Sequence, residues 1–478
     1  MPEVPPARPR SWLADIWSVL RGAQHDYTGG ELSRAIVLLA VPMVLEMAME
    51  SVFAIVDVFF VAKLGDDAVA AVGLTESMLT IVYAFAIGIS MAATALIARR
   101  IGERNVEGAV RAATQAVAIG VIAGALIGLP CFVFAEDLLR LMGASDAVIA
   151  GGSGYTRAIL GCNFAVFLLF LNNAVFRGAG DPVLAMRALW LANGINVILD
   201  PCLIFGWGPF PELGVTGAGI ATVIGRSVGV LYQIYMLRAG AGRIALRGPG
   251  FRFVPRIALE ILRLSVGGVS QFLIATASWV VLMRIVAPFG DQAVAGYTIA
   301  IRIVVFALLP SWGLSNAAAT LVGQNLGAGR PDRAERATWL TGLYNMAFLG
   351  LVTIVFLLFA PQIVSLFTSK PETAEVAVTA LRTLSYGYVF YAWGMVLPQA
   401  FNGAGDTMTP TYINFFCYWV LEIPLAYVLA RTAGYGPSGV FWSVCIAEAT
   451  MAVAAAVVFR RGKWKTVQVA ADTSPPAH

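Results

Sequence analysis

The segment Phe176-Arg-Gly-Ala-Gly-Asp-Pro182 returns as Phe401-Asn-Gly-Ala-Gly-Asp-Thr407, an offset of 225 residues (401 minus 176). The same offset aligns three further pairs: Leu64–Ala70 with Phe289–Ala295, Gly88-Ile-Ser with Gly313-Leu-Ser, and Gly102 with Gly327. Separated matches at one constant offset indicate a tandem duplication of a unit of roughly 200 residues. In both Gly-Ala-Gly-Asp copies we expect a tight turn, with the aspartate capping the helix that follows.

The composition excludes a water-soluble fold. Of the 478 residues, 59% are hydrophobic and 13% are charged, and the mean hydropathy is +0.78. Soluble domains carry about 25% charged residues. The apolar runs reach the ~20 residues that a transmembrane helix needs, and they do not alternate as barrel strands do. The predicted fold class is an all-α integral membrane protein embedded in a lipid bilayer.

Twelve apolar spans are predicted, six in each half: 34–62, 70–98, 110–134, 150–175, 184–207, 214–238, 258–287, 294–322, 337–360, 377–400, 410–431 and 438–459. Because six is even, the halves enter the membrane in the same sense, and a pseudo-two-fold axis along the membrane normal should relate them. The expected segments are a leader (1–33), a first lobe (34–238), a linker (239–257), a second lobe (258–460) and a tail (461–478). A duplication of this kind is typical of transporters.

Loop charges predict the orientation. Arginines cluster in alternate loops, for example Arg99 with Arg100 and Arg330 with Arg333, whereas the opposite loops are acidic. The positive-inside rule therefore places both termini in the cytoplasm, as in a multi-pass protein of the cytoplasmic (inner) membrane. The leader lacks a cleavable apolar core, and its residues 11–20 could form a short interfacial amphipathic helix.

Several functional classes are disfavoured by composition. The net charge of +4 arises from loop arginines and does not indicate a nucleic-acid partner. Five cysteines lie in apolar stretches without metal-ligand spacing, and only two histidines occur. No HExxH or serine–histidine pattern suggests an enzyme. No cofactor is expected, and a monomer is the simplest assembly.

Three carboxylates lie in the first span: Glu46, Glu50 and Asp57. At about 100° per residue, their directions on a helix differ by only about 40°, so they share one stripe. A carboxylate in a spanning helix costs several kcal/mol unless it faces water, a partner or an ion. Asp57 lies deepest in apolar sequence and is predicted to titrate or to bind a cation. For Glu46, a solvated vestibule position and a functional position both remain open.

The fifth span carries a second polar cluster, Asn193, Asn196 and Asp200, followed directly by Pro201. Asn196 and Asp200 are four residues apart and therefore stack on one helix face. With Thr222 and the backbone of Ala218 from the sixth span, these groups could form an oxygen cage for Na⁺ or H⁺. The alternative for the Asn and Asp residues is simple capping or helix–helix contact. Four further residues receive no assigned role: Arg226, Arg284, Glu422 and Glu448.

Together, the duplicated six-helix unit, the paired Gly-Ala-Gly-Asp loops, Pro42 upstream of Asp57, and Asn193-Gly-Ile-Asn-Val-Ile-Leu-Asp-Pro201 resemble the multidrug and toxic compound extrusion (MATE) transporters. The resemblance covers roughly residues 34–460. It implies export of small amphipathic, often cationic compounds in exchange for H⁺ or Na⁺. Position by position, it implies a DinF-like first-lobe site at Asp57, Asn196, Asp200 and Thr222, where Na⁺ could bind, and a helix-one hinge at Pro42.

The chain departs from other branches of that family in the second half. The NorM-like and eukaryotic branches place a glutamate in helix seven, where this chain has Gln271 and Ala275. At the repeat offset, Glu46, Glu50 and Asp57 correspond to residues without charge. This favours coupling in the first lobe. The rival hypothesis is a lipid-linked precursor flippase of the related superfamily, which would need a basic cavity for pyrophosphate.

Overall fold

A computed structural model describes residues 12–246 and 253–469 of the chain. Residues 1–11, 247–252 and 470–478 lie outside the described residues, and with them lie the start of the leader, Arg247 and Arg252 of the linker, and the end of the tail. The described residues form helices and contain no β-strand. The predicted all-α membrane fold is confirmed.

Seventeen α-helices occur in the described residues: α1 Trp12–Leu20, α2 Leu32–Val61, α3 Asp66–Gly102, α4 Val106–Val133, α5 Ala135–Leu141, α6 Asp146–Gly161, α7 Phe164–Ala179, α8 Pro182–Phe205, α9 Val215–Ala239, α10 Pro255–Val286, α11 Asp291–Gly327, α12 Pro331–Ser365, α13 Pro371–Tyr386, α14 Tyr388–Ala404, α15 Met408–Asn414, α16 Ile423–Tyr427 and α17 Pro437–Arg460. Proline stands at the start of α8, α10, α12, α13 and α17, where its missing N–H has no helical partner to lose.

Twelve membrane crossings account for these helices apart from α1 and α5. Eleven described segments are long and apolar enough to span a bilayer. The remaining crossing, the tenth, is divided at Gly387 into α13 and α14. Its repeat counterpart, the fourth crossing, is divided after Gly161 into α6 and α7. The duplication is thus visible in broken helices as well as in sequence, and the prediction of twelve spans in two lobes is confirmed.

The eleventh crossing, Met408–Thr432, is not a regular α-helix. Two π-helical stretches, Phe415–Glu422 and Val428–Thr432, lie on either side of the short helix α16. Pro424 lies between them and cannot donate a backbone hydrogen bond, so the widened turns compensate for a disrupted ladder. As a result, Glu422 is the last residue of a π-helical stretch.

The Gly-Ala-Gly-Asp turns agree in backbone and differ in side-chain role. Gly180 and Gly405 end α7 and α14 with φ of 84° and 88°, a region that favours glycine. Asp406 caps as expected, because its carboxylate accepts from the Thr409 N–H at 3.1 Å. The same prediction for Asp181 is wrong: it makes no cap hydrogen bond, and its Oδ2 accepts from the backbone N–H of Arg243 at 2.6 Å. Asp181 therefore binds the linker and does not cap α8.

The glycines shared by the two repeats lie where the lobes touch. A Cβ at Gly102 would lie 2.0 Å from the Gln324 carbonyl oxygen, and a Cβ at Gly327 would lie 2.1 Å from the Arg99 carbonyl oxygen. Helices α3 and α11 thus cross backbone against backbone at one end of the molecule. This reciprocal contact closes the lobes on each other at the face where the first and last described segments of the chain lie.

The N-terminal segment lies across the same face and touches both lobes. Helix α1 is amphipathic as predicted, with Val19 buried and Trp17 exposed. In the first lobe, Arg187 donates to the Leu20 carbonyl oxygen at 2.6 Å. In the second lobe, Arg333 donates to the Gly29 carbonyl oxygen at 2.7 Å. The segment therefore links the two lobes beside the α3–α11 contact.

Replacing Gly327 by Ala should destabilise the protein. The new methyl group would meet the Arg99 carbonyl oxygen, which is backbone and cannot rotate away, so α3 and α11 must separate at a cost of roughly 1–3 kcal/mol. Thermal unfolding of the purified protein in detergent measures the change. Gly350→Ala is the matched control, because no atom lies within 4 Å of that Cβ position and alanine favours a helix. Equal unfolding temperatures for Gly327→Ala and the unchanged protein would contradict the predicted contact.

Candidate functional site

A cavity of about 400 Å³ lies between the two lobes. From the first lobe, its lining includes the acids Glu46 and Glu50 and the bases Arg177 and Arg226. Aromatic side chains complete much of the wall: Tyr83, Phe170, Phe272, Phe306 and Trp312. Apolar walls with a few charged groups are typical of small-molecule sites, so this cavity is the candidate substrate site.

Glu46 is a buried, ion-paired residue. Its side chain is fully buried, and Oε1 accepts from Asn173 Nδ2 at 2.9 Å and pairs with Arg177 Nη1 at 3.4 Å. Gln233 extends the network by donating to Asn173 Oδ1 at 2.6 Å. In this structure Glu46 is therefore buried and paired, at the edge of the cavity. Its charge is balanced by Arg177, which lies in the last turn of α7.

Glu50 and Arg226 form a second charged group one turn further along α2. Asn193 Nδ2 donates to Glu50 Oε2 at 2.9 Å, while Arg226 interacts electrostatically with Glu50 and donates to the Tyr83 hydroxyl at 2.9 Å. Asn193 thus contacts the cavity acid Glu50. No role was predicted for Arg226 from the sequence. Its position inside an apolar span was nevertheless a usable signal, because a cation there needs an anionic partner.

Asp57 is separated from the other two acids of its stripe. It is 9% exposed and is not part of the lining of the lobe–lobe cavity. It lies close enough to Glu76, Arg226 and Asp200 for electrostatic interaction. The shared helix face is real, but neighbouring helices divide it into a cavity-facing part and a part inside the first lobe.

Asp200 lies beside Asn196 and Thr222 inside the first lobe. The Asn196 carboxamide is 2.9 Å from the Thr222 hydroxyl, and its nitrogen, when turned toward Asp200, donates to Oδ2 at 2.9 Å. Asp200 is fully buried, and its Oδ1 has no hydrogen-bond partner within residues 12–246 and 253–469. Ala218 is fully buried one turn before Thr222 on α9. Four of the predicted site residues therefore converge here, while Asn193 does not join them.

This arrangement places two carboxylates, Asp57 and Asp200, together in the interior of the first lobe. Asp57 and Asp200 are two interacting carboxylates in a largely buried setting, and an isolated ionised carboxylate there is costly. A proton, or a monovalent ion held by oxygen atoms, would offset that cost. The described residues contain no group of three or more His, Cys, Asp and Glu side chains suited to a metal ion.

Pro42 lies buried within α2, which runs without a break from Leu32 to Val61. A bend at this position stays a prediction. At the helix-seven position where other branches of the family place a glutamate, Gln271 donates to Asn402 Oδ1 at 3.0 Å and to the Thr407 carbonyl oxygen at 2.9 Å. Gln271 is therefore tied into the packing of the second lobe.

The sequence did not predict that two buried acids of the second lobe lie close to each other. Glu422 and Glu448 are each 1% exposed and lie on the eleventh and twelfth crossings, on helices that pack against each other. The repeat offset could not reveal them, because it compares positions on equivalent helices. A search for charged residues inside apolar spans identifies each acid singly, whereas their proximity requires the fold.

The duplicated six-helix lobes around a shared, mainly apolar cavity define a helical membrane transporter. The MatE family model matches residues 42–202 and 269–428, which together make up most of the chain, one match in each lobe. The chain belongs to the MATE family.

Relatives and a solved structure agree with this assignment. The chain is 26% identical over 440 residues to "Probable multidrug resistance protein NorM" of Thermotoga maritima, covering 91% of this chain and 94% of that protein. It is 28% identical over 414 residues to the "FAD transporter" of Shewanella oneidensis, covering 84% and 89%. An outward-facing multidrug resistance MATE family transporter superposes with a TM-score of 0.86 at 27% identity, covering 94% and 98%.

Arg177→Met should destabilise the protein strongly. Without the guanidinium, Glu46 becomes a fully buried carboxylate with no cation, at a cost of about 3–5 kcal/mol. Glu46→Gln in the same chain should restore most of the loss. Chemical or thermal unfolding in detergent reports both changes. Arg140→Met is the control, since its pair with Asp137 is exposed and worth less than about 1 kcal/mol. A double variant no more stable than Arg177→Met would show that the pair does not carry the effect.

Proposed function

We propose that this protein is a secondary multidrug efflux transporter. It exports amphipathic, often cationic compounds in exchange for H⁺ or Na⁺ by alternating access. Family membership and the relative named as a multidrug resistance protein support the substrate class. The coupling ion is the only small cofactor required, and a single chain supplies the whole cavity.

The observation that carries the coupling proposal is the Asp57–Asp200 pair. The two carboxylates interact electrostatically, Asn196 and Thr222 adjoin them, and Asp200 Oδ1 lacks a partner in the described chain. Such a site is more stable when a cation neutralises it. Binding and release of H⁺ or Na⁺ at Asp57, with Asn196, Asp200, Thr222 and the Ala218 backbone, would therefore change the charge of the first lobe.

The cavity offers a reason why this change affects a drug. Glu50 and Arg226 line it, and Arg226 also interacts with Asp57. When Asp57 is ionised, it balances part of the Arg226 charge and leaves Glu50 more available to an organic cation. When Asp57 is neutralised, Arg226 is drawn toward Glu50 and competes with that cation. Arg226 thus links the coupling site to the substrate site.

Alternating access requires that one end of the cavity close while the other opens. The reciprocal contact at Gly102 and Gly327 keeps the lobes together at the end where the first and last described segments of the chain lie. With both termini in the cytoplasm of an inner-membrane protein, this arrangement corresponds to an outward-facing state, in agreement with the outward-facing relative. Reopening toward the cytoplasm would separate lobes 34–238 and 258–460, with bending of α2 at Pro42.

An anionic substrate is the second candidate. The relative named as an FAD transporter favours it, and so do the cavity arginines Arg177 and Arg226. Both arginines, however, already have acidic partners, Glu46 and Glu50. A lipid-linked pyrophosphate, which a flippase would bind, meets the same objection. The charge balance of the cavity therefore favours an organic cation.

Asp57→Asn and Asp200→Asn should each abolish coupled export. In vesicles containing purified protein, uptake of a fluorescent cationic dye is driven in turn by a proton gradient and by a sodium gradient. We expect initial rates at least about tenfold lower, which corresponds to about 1.4 kcal/mol, because a neutral amide takes up no proton and carries no negative charge for a sodium ion to neutralise. The gradient that drives the unchanged protein identifies the coupling ion.

Asp67→Asn is the matched control for this assay, since Asp67 is exposed at the start of α3. It should transport at the normal rate. Normal dye exchange by both Asp57→Asn and Asp200→Asn would overturn the coupling assignment. Transport of FAD in place of the dye would overturn the substrate assignment.

A further inference from the structure

The second lobe contains an acid pair that the proposed coupling site does not use. Glu422 ends the π-helical stretch Phe415–Glu422, and Glu448 lies on α17. Both side chains are 99% buried, and they interact electrostatically with each other. Glu422 lies 10 residues from the nearer end of Met408–Thr432 (432 minus 422), and Glu448 lies 11 residues from the nearer end of Pro437–Arg460 (448 minus 437), so both are near mid-span and away from the water at the membrane surface.

Within residues 12–246 and 253–469, no basic side chain forms an ion pair with either of these two carboxylates, and the salt bridges involve other acids. The titratable side chains that interact with the pair are tyrosines and cysteines from α11, α14, α17 and the eleventh crossing: Tyr297, Tyr391, Cys417, Tyr418 and Cys445. None of them can supply positive charge. Two adjacent anions in a membrane interior are too costly to coexist, so the pair holds at least one proton.

The hydrogen bonds leave acceptor positions open for that proton. Tyr418 donates to Glu448 Oε1 at 2.9 Å. By contrast, Glu448 Oε2 and Glu422 Oε2 have no partner in the described residues, and neither has Asn414 Oδ1, whose side chain is 9% exposed. Buried acceptors of this kind are normally satisfied. An O–H group on one of the two glutamates would supply a hydrogen-bond donor for these unpaired acceptors.

The pair is connected to a cavity through Glu448 alone. A second cavity, of about 530 Å³, is lined by Glu448, Tyr418 and Asn414, whereas Glu422 is not part of its lining. It shares Met91, Phe272, Val305, Leu309, Trp312, Gln399 and Asn402 with the lobe–lobe cavity, so the two adjoin. Gly394 leaves space beside the carboxylate, because a Cβ there would lie 3.0 Å from Glu448 Oε2.

We propose that Glu422 and Glu448 form a second proton-binding site, from which Glu448 exchanges the proton with the cavity. When an organic cation occupies the cavity, the O–H bond of the pair breaks, the proton passes to cavity water, and the resulting carboxylate balances the cation. The site stands on its own geometry, and its part in transport rests on the proposed function. It gives the second lobe a titratable centre on helices that the repeat comparison did not indicate.

Infrared difference spectroscopy of the full-length protein in detergent tests the proposal without any transport step. We expect a protonated-carboxyl C=O band that disappears as the pH is raised and also on addition of tetraphenylphosphonium. The band should be lost in Glu448→Gln and changed in Glu422→Gln. Glu372→Gln, at the exposed start of α13, should retain it. Asp57→Asn/Asp200→Asn should also retain it, which separates this site from the first-lobe site.

Two milder variants keep the test decisive if the glutamine variants do not fold. Tyr418→Phe removes the hydrogen bond to Glu448 and should shift the midpoint of the pH titration, whereas Tyr412→Phe, at an exposed residue of the same crossing, should not. Gly394→Ala places a methyl group against Oε2 and should shift the band frequency. A band that responds to neither pH nor tetraphenylphosphonium, or that survives in Glu448→Gln, would overturn the proposal.

Discussion

A carboxylate inside a membrane needs a proton, a cation or a counter-charge, and the buried acids of this chain meet that need in different ways. Glu46 is balanced by Arg177, and Glu50 by Arg226. Asp57 shares Arg226 but also lies near Asp200, for which the described part of the chain provides no basic partner. In the proposed function, the acids that lack a dedicated arginine are the ones that bind and release the coupling ion.

Arg226 connects the cavity acid Glu50 with the interior acid Asp57. It lines the lobe–lobe cavity, donates to Tyr83, and interacts with both Glu50 and Asp57. In the proposed mechanism, this shared guanidinium passes a change of charge at the interior acid Asp57 to the cavity acid Glu50. That step would need only electrostatics, because the field inside the cavity would change before any helix moves.

The two repeats share their helix packing, whereas their buried acids lie at different positions. The repeated glycines Gly102 and Gly327 make reciprocal backbone contacts, and the fourth and tenth crossings are broken at matching places. The acids do not repeat: the first lobe uses helices α2 and α8, and the second uses the eleventh and twelfth crossings. Close helix packing tolerates few residues, so glycine positions persist. A buried charge needs only some nearby partner, which can come from any neighbouring helix.

Sequence by itself determined the membrane fold, the twelve crossings and the identity of the buried acids, because apolar length and intramembrane charge are properties of single segments. It also placed Asn196 and Asp200 on one face, since that is a matter of helical period. Only the tertiary structure decided which acids are neutralised. In the folded protein Asp57 lies apart from Glu46 and Glu50, and Asn193 hydrogen-bonds Glu50. Asp181 accepts a hydrogen bond from the linker, and Glu422 lies near Glu448. Each of these outcomes depends on distances between helices far apart in the chain, and electrostatic energy depends on those distances.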